Sequence, residues 1–579
     1  MKKHWFKVLA VIWATINALY YLAIRSCWSF ISGTLGADNN QSFLIINAPF
    51  IILGLILLTT VLSYVFLIFL KKGKKWAIVI NSINLLFTIG FVASFFMGFY
   101  GFMYYFFPLF GKYLLIASGL YILYFAIFRI PKLKIKRPIL LKSLIFTVIL
   151  GVTASFLIDF SVNRITYHSV VYAVEDDYQI VFSSKRKSYA WVEIDGVDYY
   201  DLSAGVSRSE DLVHKITVPM SVLDAAEEYS IHVKAIIYKA PFYGYTGREI
   251  TESYNFNPIN YDDGINYYTL SDVHHAVKGA IESALNSGDM DFLVVAGDIV
   301  SALERYQDLE LTNKLAYEIT KGEIPVVYAR GNHETTGKYS EEFYKYVGSV
   351  NQEFYYYYNL NVYSDSFKVG EIRGLVLDLG VDHNDDWWEY YQTSHCLDYE
   401  TKQLDFIDDY TLFMIADIPL LFNYKMVVCH IPLVIVDKKL DHSDMITQMT
   451  DKLNNLSLDI SLSGHTHYLY VFEPGLIEAD TALSFSSLYT PSASESLSNH
   501  VTDFNFYSFV ASKRSYTQTE KSEVIKTDAF IGLHINVVQN GILGGNTTDA
   551  SYINSRGEKV SIVNAFYEKS YGEDIIYNS

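Results

Sequence analysis

Long apolar stretches without polar alternation occupy residues 1–160, and a different pattern follows them. A helix needs roughly 20 mostly apolar residues to cross a ~30 Å hydrocarbon core. Five runs reach that length: 5–24, 43–70, 76–98, 107–128 and 139–160. Pro49 in the second run predicts a kink, which membrane helices tolerate. Phe99, Tyr100, Phe102, Tyr104, Tyr105, Phe106 and Phe107 form an aromatic cluster suited to the membrane interface. Asn81 and Asn84, one helical turn apart in the third run, read as interhelical hydrogen-bonding groups.

After residue 160 the period shortens. Alternating or β-branched runs recur at 168–174, 178–183, 189–194, 212–218 and 229–238, separated by turn signals such as Asp195-Gly196. Their spacing predicts a β-sandwich of about seven strands. From residue 259, strand-like runs (Tyr267–Ser271, Phe292–Ala296, Ile324–Tyr328) alternate with helical periodicity such as 276–287. That alternation predicts an α/β layered domain with functional loops at its strand ends. Further strand-like runs at 484–488, 504–510, 529–538 and 559–566 are expected to complete its sheets. The expected organisation is a membrane domain over 1–160, a sandwich spacer over 161–258 and an α/β domain over 259–579.

Charge sharpens this division. Residues 1–160 hold 15 Lys and Arg against Asp38 and Asp159, a net of +13, while the remaining 30 basic and 61 acidic residues net −31. Thirteen of the early positives fall before the first span, between the second and third, and between the fourth and the middle of the fifth. Only Arg25 and Lys112 lie in the alternate loops. Positive loops stay inside, so the N-terminus is expected inside and everything after residue 160 outside, in a multi-pass cell-membrane protein. The acidic second part disfavours nucleic acid as a stable partner, because phosphate-backbone binding needs clustered Lys and Arg. Three cysteines, Cys27, Cys396 and Cys429, build no disulfide framework.

Five chemistry-bearing pieces each follow a hydrophobic run: Asp272-Val273-His274, Gly297-Asp298, Gly331-Asn332-His333-Glu334, His430, and Gly464-His465-Thr466-His467. Singly each has a dull explanation as turn chemistry or a satisfied polar residue. Five in order at strand ends do not. In an extended backbone residues i and i+2 project to one side, so Asp272 with His274, and His465 with His467, can each approach one centre. Carboxylate, imidazole and amide oxygen without thiolate suit Mn, Fe, Zn or Mg. Two such ions about 3.5–4 Å apart can generate a hydroxide and clamp an in-line displacement at phosphorus. Asp298, with two oxygens, is suited to bridge them.

This series resembles the calcineurin-like metallophosphoesterase family, with all five motifs intact over 272–467. The resemblance implies a four-layer αββα domain and two divalent ions. By matching positions, one ion takes Asp272, His274, Asp298 and His467, and the other takes Asp298, Asn332, His430 and His465. It leaves His333 off the metals, to stabilise the transition state or protonate the leaving oxygen. The 161–258 segment resembles the fibronectin-type-III-like domain that precedes the catalytic domain in purple acid phosphatases, through Tyr199-Tyr200-Asp201 before Gly205. Those enzymes carry an iron-binding Tyr three residues after the Gly-Asp aspartate, where this chain has Ser301. His275 and Arg330 are candidates for substrate contact or for support behind the ligands.

The expected function is therefore an outward-facing, membrane-anchored phosphoesterase acting on phosphomonoesters or phosphodiesters, with the bilayer and a phosphate ester as partners. Two alternatives stand beside it: a lipid or envelope-polymer pyrophosphatase or phosphodiesterase, and a non-catalytic receptor or transport module. A complete ligand set together with His333 speaks against the last.

Overall fold

The computed structural model describes residues 165–578 apart from 202–208, 241–242, 262–263, 380–395, 417–420, 434–442, 468, 478–501, 512, 515–517, 521–522, 526–529, 541–544, 565–568 and 572, together with scattered helical positions before residue 90. The chain divides into two compact units, Met1–Val162 and Asn163–Ser579. The five expected spans lie almost wholly outside the described residues, as does the run 484–488. Among the described residues no helix is long and apolar enough to cross a membrane.

The second unit begins with β1 (Ile165–Val174), β2 (Asp177–Ile194), β3 (Val197–Tyr200), β4 (Asp211–Pro219), helix α1 (Met220–Ala226), β5 (Glu228–Ala240), β6 (Tyr243–Asn255) and β7 (Ile259–Asn260). Alternation follows: β8 (Ile265–Leu270), α2 (Val277–Leu285), β9 (Phe292–Ala296), α3 (Leu311–Thr320) and β10 (Pro325–Ala329). Next come the hairpin β11 (Tyr356–Ser364) and β12 (Phe367–Val376), then α4 (Cys396–Ile415), β13 (Phe422–Val428), α5 (Ser443–Leu453), β14 (Ile460–Ser463) and β15 (Tyr470–Phe472). The C-terminal part adds β16 (Gly475–Ile477), β17 (Thr502–Phe504), β18 (Tyr507–Val510), β19 (Lys513–Arg514), β20 (Gln518–Glu520), β21 (Glu523–Ile525), β22 (Phe530–Gln539), β23 (Asn546–Asn554) and β24 (Lys559–Val560).

One sheet runs β24-β23-β22-β8-β9-β10-β1-β2-β5-β6 and the other β15-β18-β14-β13-β12-β11-β7. The late strands β22 and β18 thus complete the two sheets against β8 and β14. Strands β9 and β10 are buried at every position, which is why their sequences read as unbroken apolar runs rather than alternating ones. The sheets face each other: Tyr267 of β8 meets Tyr424 of β13 with hydroxyl oxygens 3.3 Å apart. Helices cover the outer faces. In α3, Thr312, Leu315, Ala316, Ile319 and Thr320 form one buried stripe at helical spacing. Small residues Gly279, Ala280, Ser283 and Ala284 let α2 lie close to its sheet, where Ser283 Oγ is 2.6 Å from Tyr268 Oη.

Period-two alternation sorts the second sheet's side chains into two cores. Tyr424, Met426 and Val428 point between the sheets, while Val427 and Cys429 point to α4 and α5, among Phe406, Ile407, Met445 and Met449. The run Tyr355–Tyr358 divides likewise, Tyr356 and Tyr358 inward, Tyr355 and Tyr357 toward α4. Four layers result, as the family resemblance implies.

The separate sandwich expected over 161–258 is not what forms. A sandwich needs two facing sheets of its own. Instead β1 pairs in parallel with β10 (Val171 with Pro325, Tyr172 with Val326), and β2 to β6 continue outward in the same 14-stranded sheet. Residues 170–174 of β1 are all buried, so this strand suits an interior sheet position. Local alternation identifies a strand but not its neighbour.

Candidate functional site

The five sequence pieces leave the carboxyl ends of β8, β9, β10, β13 and β14. These strands run parallel within their sheets, β8-β9-β10 in one and β13-β14 in the other. The loops therefore meet in one crevice at the same end of both sheets. Backbone hydrogen bonds bind the first two loops together: Asp272 N–H to Gly297 O, His274 N–H to Asp298 O and His275 N–H to Ile299 O, at 3.0–3.1 Å.

The local backbone departs from the sequence argument. Asp272 (φ 54°), His274 (43°), Asp298 (56°), His465 (67°) and His467 (57°) are all left-handed rather than extended. These side chains converge because the chain turns tightly at each. Each such residue costs about 1–3 kcal/mol, and clustered strain of this kind marks functional sites. Close approach also explains two glycines. A Cβ at Gly331 would collide with Asp298 Oδ1, and one at Gly464 with Ser271 Oγ.

Two sets of donor atoms share Asp298. In the first, His274 Nε2 lies 3.0 Å from His467 Nε2 and 3.7 Å from Asp298 Oδ2, and His467 Nε2 lies 3.4 Å from Asp272 Oδ1. The ligating atoms of these four side chains are all within 4.8 Å of one another. In the second, Asn332 Oδ1 is 3.1 Å from His430 Nε2 and 3.2 Å from His465 Nδ1, and His430 Nε2 is 3.2 Å from Asp298 Oδ2. Facing lone pairs backed by buried carboxylates are a donor set that fits divalent cations. His430 Nδ1 donates to Ala296 O at 2.7 Å, which turns Nε2 into the site.

Electrostatics agree with a pocket that collects positive charge. Burial works to raise the Asp298 carboxyl, yet His430, His333 and His274 around it hold it well below the usual range. Burial opposes a charge on His430, but Asp298 draws a proton onto it and raises it to about 10. Burial, then the charge of His430, push His465 down to about 3, leaving a neutral imidazole.

His333 follows Asn332 in the short turn Asn332–Glu334 and keeps a part-exposed side chain. Its Nδ1 donates to Ser301 O at 2.7 Å, its backbone N–H donates to Asp298 Oδ1 at 3.0 Å, and Nε2 sits 3.7 Å from Asp298 Oδ2. Burial lowers the ring's pKa, but Asp298 and the Ser301 carbonyl outweigh it and raise the net value. Arg330 is engaged elsewhere. It makes a two-pronged ion pair with Asp378 (2.9 and 2.5 Å) and lies 4.2 Å over Phe354. His275 faces Asp308 and Ser301.

Sequence reasoning left Glu334 without a role. The structure buries it completely, where its carboxylate accepts N–H bonds from Asp298 (2.8 Å), Ile299 (2.7 Å), Val300 (3.3 Å) and Gly331 (3.0 Å). It ties the loop after β10 to the loop after β9. A carboxylate immediately beyond two site residues in a glycine-led turn was the available signal.

A crevice at strand ends holding carboxylates, imidazoles and an amide in two sets around a shared aspartate defines a metal-dependent phosphoesterase using two divalent ions. The sequence pattern of the calcineurin-like phosphoesterase family matches residues 265–469, which span the whole ligand set. Among solved structures, the chain is similar to a purple acid phosphatase from yellow lupin seeds, at 12% identity over 69% of this chain and 73% of that one (TM-score 0.39). It is also similar to a dimetal phosphatase from Danio rerio (11% identity, 55% of this chain, 99% of that one, TM-score 0.31) and to GAP50, the anchor in the inner membrane complex of Plasmodium (12%, 52% and 93%, 0.31). No curated protein matches the chain.

Proposed function

We propose that this protein is a membrane-anchored, outward-facing phosphoesterase that hydrolyses phosphomonoesters or phosphodiesters. The observation that carries the hydrolytic reading is the meeting of both donor sets on Asp298 Oδ2. Asp272, His274, Asp298 and His467 would hold one ion, and Asp298, Asn332, His430 and His465 the other. When bound, the ions supply a nucleophile at neutral pH and withdraw charge from the phosphoryl oxygens. The chain's own residues do the rest. Asp298 spaces the two centres, the Ala296 carbonyl orients His430, and His333 presents Nε2 to the leaving oxygen as its proton donor.

Support for anchoring comes from the first unit. Its described helical positions turn Leu58, Val61, Val65, Ile78, Val79, Leu85 and Ile89 outward while Thr60, Asn81, Asn84 and Thr88 are buried. Thr60 and Thr88 hydroxyls meet at 3.0 Å. Apolar outside and polar inside is the arrangement that a hydrocarbon solvent selects. The charge asymmetry of the short loops gives the direction, with the catalytic unit outside.

The test is metal removal on the purified full chain in detergent, followed by a panel of phosphomonoester, phosphodiester and pyrophosphate substrates. Chelation should abolish hydrolysis and added Mn should restore it. Asp298→Asn should be the most damaging ligand change. Full activity of that variant with metal in excess would overturn the shared-ligand assignment.

A further inference from the structure

Behind His333 lies a part-buried polar chain that the hydrolytic reading leaves unused. His333 Nδ1 donates to Ser301 O at 2.7 Å. The N–H of the same Ser301 donates to His275 Nδ1 at 3.3 Å. The other ring nitrogen, Nε2, lies 3.3 Å from Asp308 Oδ1. Asp308 is nearly inaccessible (3% exposed) and is gripped by Arg305, whose Nε lies 2.9 and 3.0 Å and whose Nη2 lies 2.6 Å from its oxygens. Arg305 Nη2 is also 3.1 Å from His275 Nε2, so Arg305 and Asp308 together hold that edge of the ring.

We propose that His275, anchored by Asp308 and Arg305, is a positioning residue that sets the ring of His333 through the backbone of Ser301. Ser301 lies outside strand and helix, so no ladder dictates where its carbonyl points. The bond from its N–H to His275 supplies that constraint from one side, and its carbonyl passes it to His333 on the other. A carbonyl only accepts, so this contact also keeps the neutral-form proton of His333 on Nδ1 and aims Nε2 into the crevice. His275 itself is tied back to the ligand loop through Ile299 O and adopts a left-handed backbone (φ 69°). Holding a proton donor in its productive orientation is worth up to about 10²-fold in rate when the supporting contact is far from the chemistry. The inference rests on the assignment of His333 as proton donor to the leaving group.

The experiment compares His275→Ala, His275→Asn, His333→Ala and the double variant in the Mn-loaded full chain, using nitrophenyl phosphate and an alkyl phosphate. His275→Ala should keep two metals per chain and an unchanged KM. Its kcat should fall about 10- to 100-fold for the alkyl phosphate and only a few-fold for nitrophenyl phosphate, which needs little protonation. His275→Asn retains an acceptor for Ser301 N–H and should recover most of the loss, which a mere packing defect would not allow. The double variant should be no worse than His333→Ala alone, because residues acting in series do not add. A rise in KM at constant kcat would make His275 a substrate contact, and additive losses would detach it from His333; either overturns the proposal. Loss of metal in His275→Ala would likewise overturn it in favour of a prop for the ligand loop. If His333→Ala keeps full activity on both substrates, the reading of His333 itself has failed. If His333→Ala is impaired and His275→Ala is not, only the positioning role has failed.

Discussion

Glu334 shows how much of this site is backbone architecture. Its four amide contacts come from two loops that follow different strands, and none reaches a donor atom of the opposite sheet. Glu334→Gln would set an amide N–H₂ against at least one of those N–H groups. A buried donor left facing a donor costs about 1–3 kcal/mol, and loss of a charge-assisted bond adds a similar amount. The variant should therefore unfold at lower urea, by about 2–4 kcal/mol, and bind Mn more weakly because Asp298 and Asn332 lose their common anchor. Urea titration and metal titration check both. Unchanged metal affinity would mean that the ligand loops hold their geometry without it. The candidate ligands were legible as residue types, since few side chains suit hard divalent ions. The left-handed turns beneath them were not, because Asp and His tolerate several backbone regions and only neighbouring loops force the choice.

At the scale of elements, the start of α3 carries a testable tension. Glu310 immediately precedes the helix, is buried, and accepts a hydrogen bond from Ser183 of β2 at 3.0 Å. Burial raises its carboxyl from the ordinary 4.5 to about 7, with the Ser183 and Tyr167 hydroxyls opposing the shift. A carboxyl that holds its proton more tightly when folded loses stability as pH rises, here from about 4.5 to about 7, and the full cost persists above that window. Glu310→Gln removes the ionisation while keeping an acceptor for Ser183. Its melting midpoint should exceed that of the parent at pH 8 and match it at pH 4. An equal difference at both pH values would trace the effect to packing. Strand identity at this scale was well marked in the sequence: β8, β9, β10, β13 and β14 all coincide with apolar runs. Sheet membership was not. The 165–255 strands look like a self-contained sandwich until β1 is seen beside β10, because a parallel pairing between residues 171 and 325 leaves no local mark.

For the whole molecule, the charge split and the proposed anchoring lead to a topology prediction. A reporter active only outside the membrane, fused after residue 579, should be active, and one fused near Lys72 should be silent. The reverse pattern would remove the outward-facing reading while leaving the metal chemistry untouched.

Periodicity and the order of Asp, Asn and His motifs carried the main element types and the class of chemistry, because each depends on residue type and short-range spacing. Three things belong to the tertiary structure. The continuous sheet across residue 258 depends on a pairing between distant strands. The burial of Glu334 depends on two loops meeting behind the ligands. The line from Asp308 through His275 and Ser301 to His333 depends on three loops brought within hydrogen-bond reach. Each is a relation between residues far apart in the chain, and such relations arise only when hydrophobic burial folds the strands into layers and brings their loops to one end.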